Sequence, residues 1–314
     1  MNQPANGNKG PKADKPRIGF IGVGLMGHGI AKNLVTKGYP LVVRVNRNRA
    51  PLQDLLAAGA QEVKTNADVA RASDILFLCV TGAPQVEEIV HGENGIASAA
   101  RKGVIVVDTS TSEPATTARM RDALAPSGVR FVDAPLARTP IEAELGRLNI
   151  MVGADDATFA ELKPVFDAFC ENIIHAGPAG HGIVLKLINN FIAQAIATAA
   201  AEACAVAAKS GLSLQKLHQV ISAGAVNSGI FQMIVGKMLD GGDLTGLKFT
   251  LVNAMKDLRY YTHFAESLPV SAIVGEAVHQ SLVHANLMGF GDKYVASLVE
   301  AQEQLNGVKI VPRG

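Results

Sequence analysis

The sequence has no tryptophan and few aromatic residues of any kind, with four tyrosines and eleven phenylalanines among 314 residues. Stacking platforms for nucleic-acid bases are therefore not expected. An excess of one charge is missing too. Lys and Arg number 29 against 28 Asp and Glu, a net charge of +1, which gathers neither nucleic acid nor an anionic membrane. Cysteine is scarce: Cys79, Cys170 and Cys204 are far apart, odd in number and set in apolar runs. That pattern excludes a disulfide framework, offers no metal-ligand spacing, and is expected of reduced, buried thiols in a cytoplasmic protein. The first residues, "MNQPANGNKGPKADK", lack the apolar stretch of a signal peptide, and 1–15 are expected to be a disordered tail. The closing "VPRG" resembles the remnant of a protease-cleavable tag, so 307–314 are expected to be a tail as well. One long apolar run is present, "FIAQAIATAAAEACAVAA" at 191–208, but it is mostly alanine and carries Gln194 and Glu202. A helix buried between packed layers is expected there rather than a membrane span.

The composition is 48% hydrophobic and 18% charged, globular and ample for two domains with cores. Short apolar runs at 17–22, 41–45, 74–80, 103–110, 129–135 and 148–153 read as strands. Amphipathic stretches such as 50–58, 84–90 and 114–125 lie between them. Strands alternating with helices predict right-handed βαβ units and a parallel sheet covered on both faces. From about residue 178 the strand signal ends, and 182–209 form one long helical pattern of roughly 40 Å. The predicted organisation is an α/β domain over 16–177 and an all-α domain over 178–306.

"GFIGVGLMGHGIAKNL" contains Gly22-x-Gly24-x-x-Gly27 between the first strand and the following helix. In that setting the glycines have separate tasks: a tight turn, close approach of a pyrophosphate, and packing of helix on strand. The free N–H groups at the helix start would hold phosphate charge. This predicts a Rossmann-type, doubly wound sheet. The second strand ends in Asn46, Arg47, Asn48 and Arg49, where an NAD site would usually carry an acid. A guanidinium welcomes a 2′-phosphate, so NADP(H) is favoured, with NAD(H) possible through Asn46.

In "GHGIVLKLINN", Lys186, Asn189 and Asn190 share a helix face, with Gly182, Ala193 and Ala197 along the same stripe. Small residues around an amine leave room for a ligand. A desolvated lysine can give a proton to a carbonyl oxygen or take one from a hydroxyl, with Asn190 orienting that oxygen. The same spacing also suits a lysine snorkelling from an interdomain helix.

Four segments, "GFIGVGLMGHGIAKNL", "VDAPLARTPIEAELGRLNIMVG", "GHGIVLKLINN" and "KDLRYY", make the chain resemble the β-hydroxyacid dehydrogenase family over about residues 17–305. That family includes 3-hydroxyisobutyrate dehydrogenases, tartronate semialdehyde (2-hydroxy-3-oxopropionate) reductases and sulfolactaldehyde reductases. The resemblance implies that Lys186 is the catalytic acid/base and Asn190 holds the substrate. It places Thr111 near the nicotinamide and lets Lys256 reach the cofactor, with Phe249 close by. Cofactor contacts are expected at Gly22, Gly24, Leu25, Met26, Gly27, Asn46, Arg47, Val80, Thr111, Phe249 and Lys256, and no metal is expected. It further implies a homodimer or homotetramer formed through the helical domain.

The chain departs from the family pattern where "DAPVSGG" is usual. It carries Leu136, Ala137, Arg138 and Thr139 there, much as sulfolactaldehyde reductases pair arginine with threonine. Gly29 replaces a usual proline, and Tyr294 replaces an acid near the C-terminus. Arg138, with Thr139 and Thr111, is expected to bind the acid group of a small substrate through paired charge-assisted bonds. Its loss would then raise KM at least about tenfold. The plainer alternative pairs Arg138 with Glu142 or Glu144. The expected activity is interconversion of a small 3-hydroxy acid and its semialdehyde. The alternatives are a hydroxy-sulfonate reductase, an imine reductase, and a dinucleotide-sensing protein without catalysis.

Overall fold

The structure is a computed structural model and describes residues 15–46 and 49–313. Arg47 and residues 1–14 of the expected tail lie outside the described residues. Six short strands form the parallel part of the sheet: β1 (Ile18–Ile21), β2 (Leu41–Arg44), β3 (Gln61–Glu62), β4 (Ile75–Leu78), β5 (Ile105–Asp108) and β6 (Arg130–Asp133), in spatial order 3-2-1-4-5-6. Register is simple: Ile18 lies beside both Leu41 and Ile75. β1, β4 and β5 are buried at every residue, which is why they read as unbroken apolar runs.

The sheet then leaves the simple parallel series. β7 (Leu136–Ala137) and β8 (Leu148–Gly153) pair antiparallel, β8 also meets β6 antiparallel, and β9 (Cys170–Gly177) returns parallel to β8. Helices α1 (Gly27–Thr36), α2 (Leu52–Ala57), α3 (Asn66–Ala72), α4 (Ala83–His91), α5 (Pro114–Leu124), α6 (Pro140–Glu144) and α7 (Asp156–Phe166) connect these strands.

Two apolar layers sandwich the sheet, one around Phe20, Phe77 and Leu34 and the other around Leu76, Val106 and Met120. Phe77 is the hub of the first. It stacks on Phe20 at 6.0 Å and meets Phe166 and Phe169 edge-on at 6.3 and 5.8 Å. Phe77→Ala should cost about 3–5 kcal/mol of stability, read by urea denaturation. A cost under about 1 kcal/mol would contradict this packing.

The second half is helical. α8 (His181–Lys209) is about 43 Å long. It is followed by α9 (Leu214–Ala223), the short α10 (Gly229–Phe231) and α11 (Lys237–Leu239) on either side of a π-helical turn, α12 (Leu251–Ser267), α13 (Ile273–Ala285) and α14 (Leu298–Asn306). Small residues of α8, including Ala197, Ala201 and Ala205, join a cluster with Leu251, Ala254 and Leu258 of α12. By length and hydropathy α8 could cross a membrane, but this stripe is packed in protein. Burial between layers describes only that face, since Ile188, Ile192 and Val206 are exposed.

The C-terminal segment expected as a tail is packed. Ile310 is buried, and the Glu303 carboxylate accepts the N–H groups of Ile310 and Val311 at 2.6 and 2.8 Å. A buried carboxylate needs such donors, and the segment supplies them. The two halves meet at a small cluster of Ala83 from α4, Ile183 and Leu187 from α8, and Tyr260 from α12.

Candidate active site

In a doubly wound sheet a ligand sits beyond the carboxyl ends of the strands where the order reverses. Here that is the gap between β1 and β4. Gly22 follows β1 with φ +102°, and a Cβ on it would lie 2.2 Å from the Cys79 carbonyl oxygen and 3.0 Å from Val80. A Cβ on Gly27 would lie 2.1 Å from the Gly22 carbonyl. One on Gly24 would meet nothing within 4 Å. So Gly22 and Gly27 are small because protein crowds them, and Gly24 because the space beside it is open. No side chain caps the start of α1, and although His28 N–H already donates to the Gly24 carbonyl at 2.9 Å, a helix N-terminus of this kind favours an anion. These features fit a dinucleotide pyrophosphate. Leu25 is exposed and Met26 half-buried at the same opening, and Val80 N–H is tied to Ser110 Oγ at 2.9 Å. Asn46 is exposed at the end of β2, and Arg49 is paired with Glu62. Phe249 is half-buried against the helical cluster, seven residues before Lys256.

Gly29 has its own explanation. A Cβ there would lie 2.4 Å from the carbonyl carbon of Ala143. Only glycine lets α6 come this close to α1, and Asn33 fastens the contact by donating to the carbonyls of Gly29, Ala143 and Glu144.

In the helical half, α8 carries Lys186, half-buried, with no hydrogen bond or ion pair among the described residues. Burial pushes its pKa below the ordinary lysine value; Asp257 opposes the shift and Lys256 adds to it. One turn along α8, Asn190 is buried and donates to Asp257 Oδ2 at 2.6 Å. Asn189 is exposed and donates to Asn190 Oδ1 at 3.2 Å.

Asp257 is 2% exposed, and its Oδ1 lies 3.0 Å from Lys256 Nζ. That contact is an ion pair whose angle makes no hydrogen bond, since Oδ1 has no such partner. Lys256 donates instead to the carbonyls of Thr81 and, at 3.2 Å, Thr111, and its amine lies 5.2 Å from the Tyr260 ring centre. The pair is therefore largely buried, not an exposed surface pair. α12 reaches across to the loops after β4 and β5 through it. A Cβ on Gly82 would lie 2.7 Å from the Tyr260 hydroxyl, so that loop is tight against α12. Asp257 and Tyr260 carry no sequence signal beyond their place in "KDLRYY".

At the ends of β5 and β6, Asp108 and Asp133 are register partners and both buried. Burial pushes Asp108 up to about 7 and Asp133 up to about 6, against the hydrogen bonds each accepts. Thr111 follows in the loop after β5 and is half-buried.

Arg138 and Thr139 are brought together with protein groups instead of an open anion site. Arg138 donates to the Arg147 carbonyl at 2.6 Å and pairs with Glu171, whose carboxyl it holds below the usual range. Thr139 caps α6, exchanging bonds with Glu142. Glu144 is taken by His28 and Lys32. Arg138, at φ +82°, thus takes Glu171 of β9 as its ion-pair partner, and the Glu142 carboxyl also feels its charge, as the plainer alternative expects in part. We expect Arg138→Ala to change KM for acidic substrates less than about threefold; a tenfold rise in steady-state assays would restore the substrate role.

Residues 17–177 match a family described as the NAD binding domain of 6-phosphogluconate dehydrogenase. Residues 180–301 match one described as NAD-binding of NADP-dependent 3-hydroxyisobutyrate dehydrogenase. The chain is 34% identical over 296 residues to 2-hydroxy-3-oxopropionate reductase of Escherichia coli (strain K12), covering 94% of this chain and 99% of that one. It is 31% identical over 294 residues to 2-(hydroxymethyl)glutarate dehydrogenase of Eubacterium barkeri, covering 94% and 97%. Among solved structures, 3-hydroxyisobutyrate dehydrogenase from Salmonella typhimurium superposes with a TM-score of 0.79 at 26% identity, covering 91% of this chain and 99% of that one.

Proposed function

This chain belongs to the β-hydroxyacid dehydrogenase family, and on that footing we propose that it interconverts a small 3-hydroxy acid and its semialdehyde with Lys186 as acid/base. The observation that carries this reading is the half-buried Lys186 amine, without a hydrogen bond or ion pair among the described residues and beside the Asn190–Asp257 bond. When bound, the nicotinamide dinucleotide supplies or accepts the hydride. Lys186 gives its proton to the carbonyl oxygen during reduction and takes it back from the hydroxyl during oxidation. Asn190, its amide held by Asp257, orients that oxygen. Lys256 anchors α12 on the Thr81 and Thr111 carbonyls, so the loops around the reacting carbon stay in place.

Several finer points belong to the same proposal. The absence of an acid at the end of β2 supports NADP(H) over NAD(H), which titration with each cofactor decides. Arg138 and Thr139, both engaged by protein groups, do not distinguish the two acid groups; the preference for a carboxylate comes from relatives named for 2-hydroxy-3-oxopropionate and 2-(hydroxymethyl)glutarate. Exposed Ile188, Ile192 and Val206 on α8 support a homo-oligomer through the helical domain, to be read by sedimentation. The overall activity is tested by mixing the protein with each reduced cofactor and a series of carboxylate and sulfonate semialdehydes, following nicotinamide absorbance. Turnover confined to carboxylate semialdehydes is expected; no turnover with any of them sinks the reading.

A further inference from the structure

The first turn of α8 raises an accounting problem. A helix start leaves several backbone N–H groups without intrahelical partners, and a side chain at the N-cap usually takes one. The N-cap of α8 is Gly180, with φ +95° and no side chain to offer. The acceptor comes instead from the sheet. Asp133, the last residue of β6, accepts Gly180 N–H on Oδ1 at 2.6 Å and Ile183 N–H on Oδ2 at 2.8 Å.

The surroundings are shaped to this contact. Asp133 is 2% exposed. A Cβ on Gly153 would lie 2.5 Å from Asp133 Oδ1, and one on Gly182 would lie 2.4 Å from the Met151 carbonyl and 2.9 Å from Asp133 Oδ2. Two glycines, one on β8 and one in α8, therefore clear the space in which carboxylate and helix end meet. An ionised carboxylate at a helix N-terminus is favoured by both the hydrogen bonds and the dipole. Burying it beside Asp108 works against that gain. A group kept at such a place against its own desolvation is more costly than a cap at the surface.

We propose that Asp133 is a positioning residue for the reaction: by clamping the first turn of α8 to the end of β6 it sets the height and rotation at which Lys186 faces the cleft. Lys186 lies three residues beyond Ile183, so about 4.5 Å of rigid helix separates the clamped amide from the lysine position. A tilt or slip at the clamp moves the amine by a similar distance. Displacement on the ångström scale costs on the order of a hundredfold in rate. The inference rests on the acid/base reading of Lys186.

The test is a set of four variants: Asp133→Asn, Asp133→Ala, Gly182→Ala and Lys186→Ala. Turnover, KM, cofactor Kd and backbone amide exchange are measured on each. Asp133→Ala should lower kcat about a hundredfold with cofactor Kd changed less than threefold. Exchange should speed up selectively at the Gly180 and Ile183 amides. Asp133→Asn keeps one acceptor oxygen and should recover part of the loss. Gly182→Ala keeps the carboxylate but wedges a Cβ against the Met151 carbonyl and Asp133 Oδ2, so it strains the same clamp and should lower kcat in the same way, which keeps the test open if Asp133→Ala does not fold. Full kcat in Asp133→Ala, or a parallel loss of kcat and cofactor binding across all the clamp variants, overturns the proposal. If Lys186→Ala itself keeps its turnover, the acid/base reading has failed instead.

Discussion

Lys186→Ala is expected to cut kcat at least about a thousandfold while cofactor Kd stays within about threefold. Removing a positioned acid/base costs typically 10²–10⁴ in rate, and among the described residues this amine makes no hydrogen bond or ion pair whose loss would disturb the fold. In the proposed reading, dinucleotide binding falls to the loop after β1 and the N-terminus of α1, and Lys186 has no hydrogen bond to either among the described residues. The lowered pKa makes a second part of the same expectation. Burial leaves more of the amine uncharged near neutrality than an ordinary lysine would have. Oxidation of the hydroxy acid, which needs the free amine, should therefore rise with pH and level off below the usual lysine range. A thousandfold loss with cofactor binding intact assigns the proton to Lys186. Turnover within tenfold of the parent, or equal loss of cofactor binding, removes it from that role.

Gly22→Ala is expected to weaken cofactor binding at least about a hundredfold, about 2.7 kcal/mol. Its φ of +102° is strained for any side chain, at about 1–3 kcal/mol, and its Cβ would lie 2.2 Å from the Cys79 backbone oxygen. Relief requires the loop to move away from β4, which takes the α1 N-terminus with it. Gly24→Ala is the informative companion. Its Cβ meets nothing within 4 Å, so thermal stability should be unchanged while cofactor affinity still falls, because the space it fills belongs to the ligand. Calorimetric titration and thermal melts on the two variants separate the effects. If Gly24→Ala binds cofactor normally, the pyrophosphate does not approach the loop there.

What the sequence reveals depends on whether a residue's task is local. Gly22, Gly24 and Gly27 are legible because turn, open face and helix packing are all settled within six residues of chain. Lys186 and Asn190 are legible because a helix puts them on one face whatever lies opposite. β9 is not legible: none of its residues is buried, so it carries no apolar run. The pairing of Arg138 is hidden for a related reason. Its carboxylate partner, Glu171, is 33 residues away on β9, and nothing near Arg138 in the chain announces it. Asp257 hides beside Lys256, since adjacent helical residues do not normally face each other. Only the fold shows that both turn toward the cleft, one to Asn190 and the other to the loops after β4 and β5. Gly29 reads as a missing proline in sequence and as the contact of α1 with α6 in structure. The end of the chain reads as a tail until Glu303 is seen to need its amides.

The most direct test is a crystal structure of the protein with NADPH and an unreactive hydroxy-acid analogue. The account predicts the dinucleotide over Gly22–Gly27 and the analogue's hydroxyl in hydrogen-bond contact with Lys186 and Asn190. A dinucleotide bound elsewhere, or a Lys186 side chain directed into solvent with the analogue in place, would contradict it.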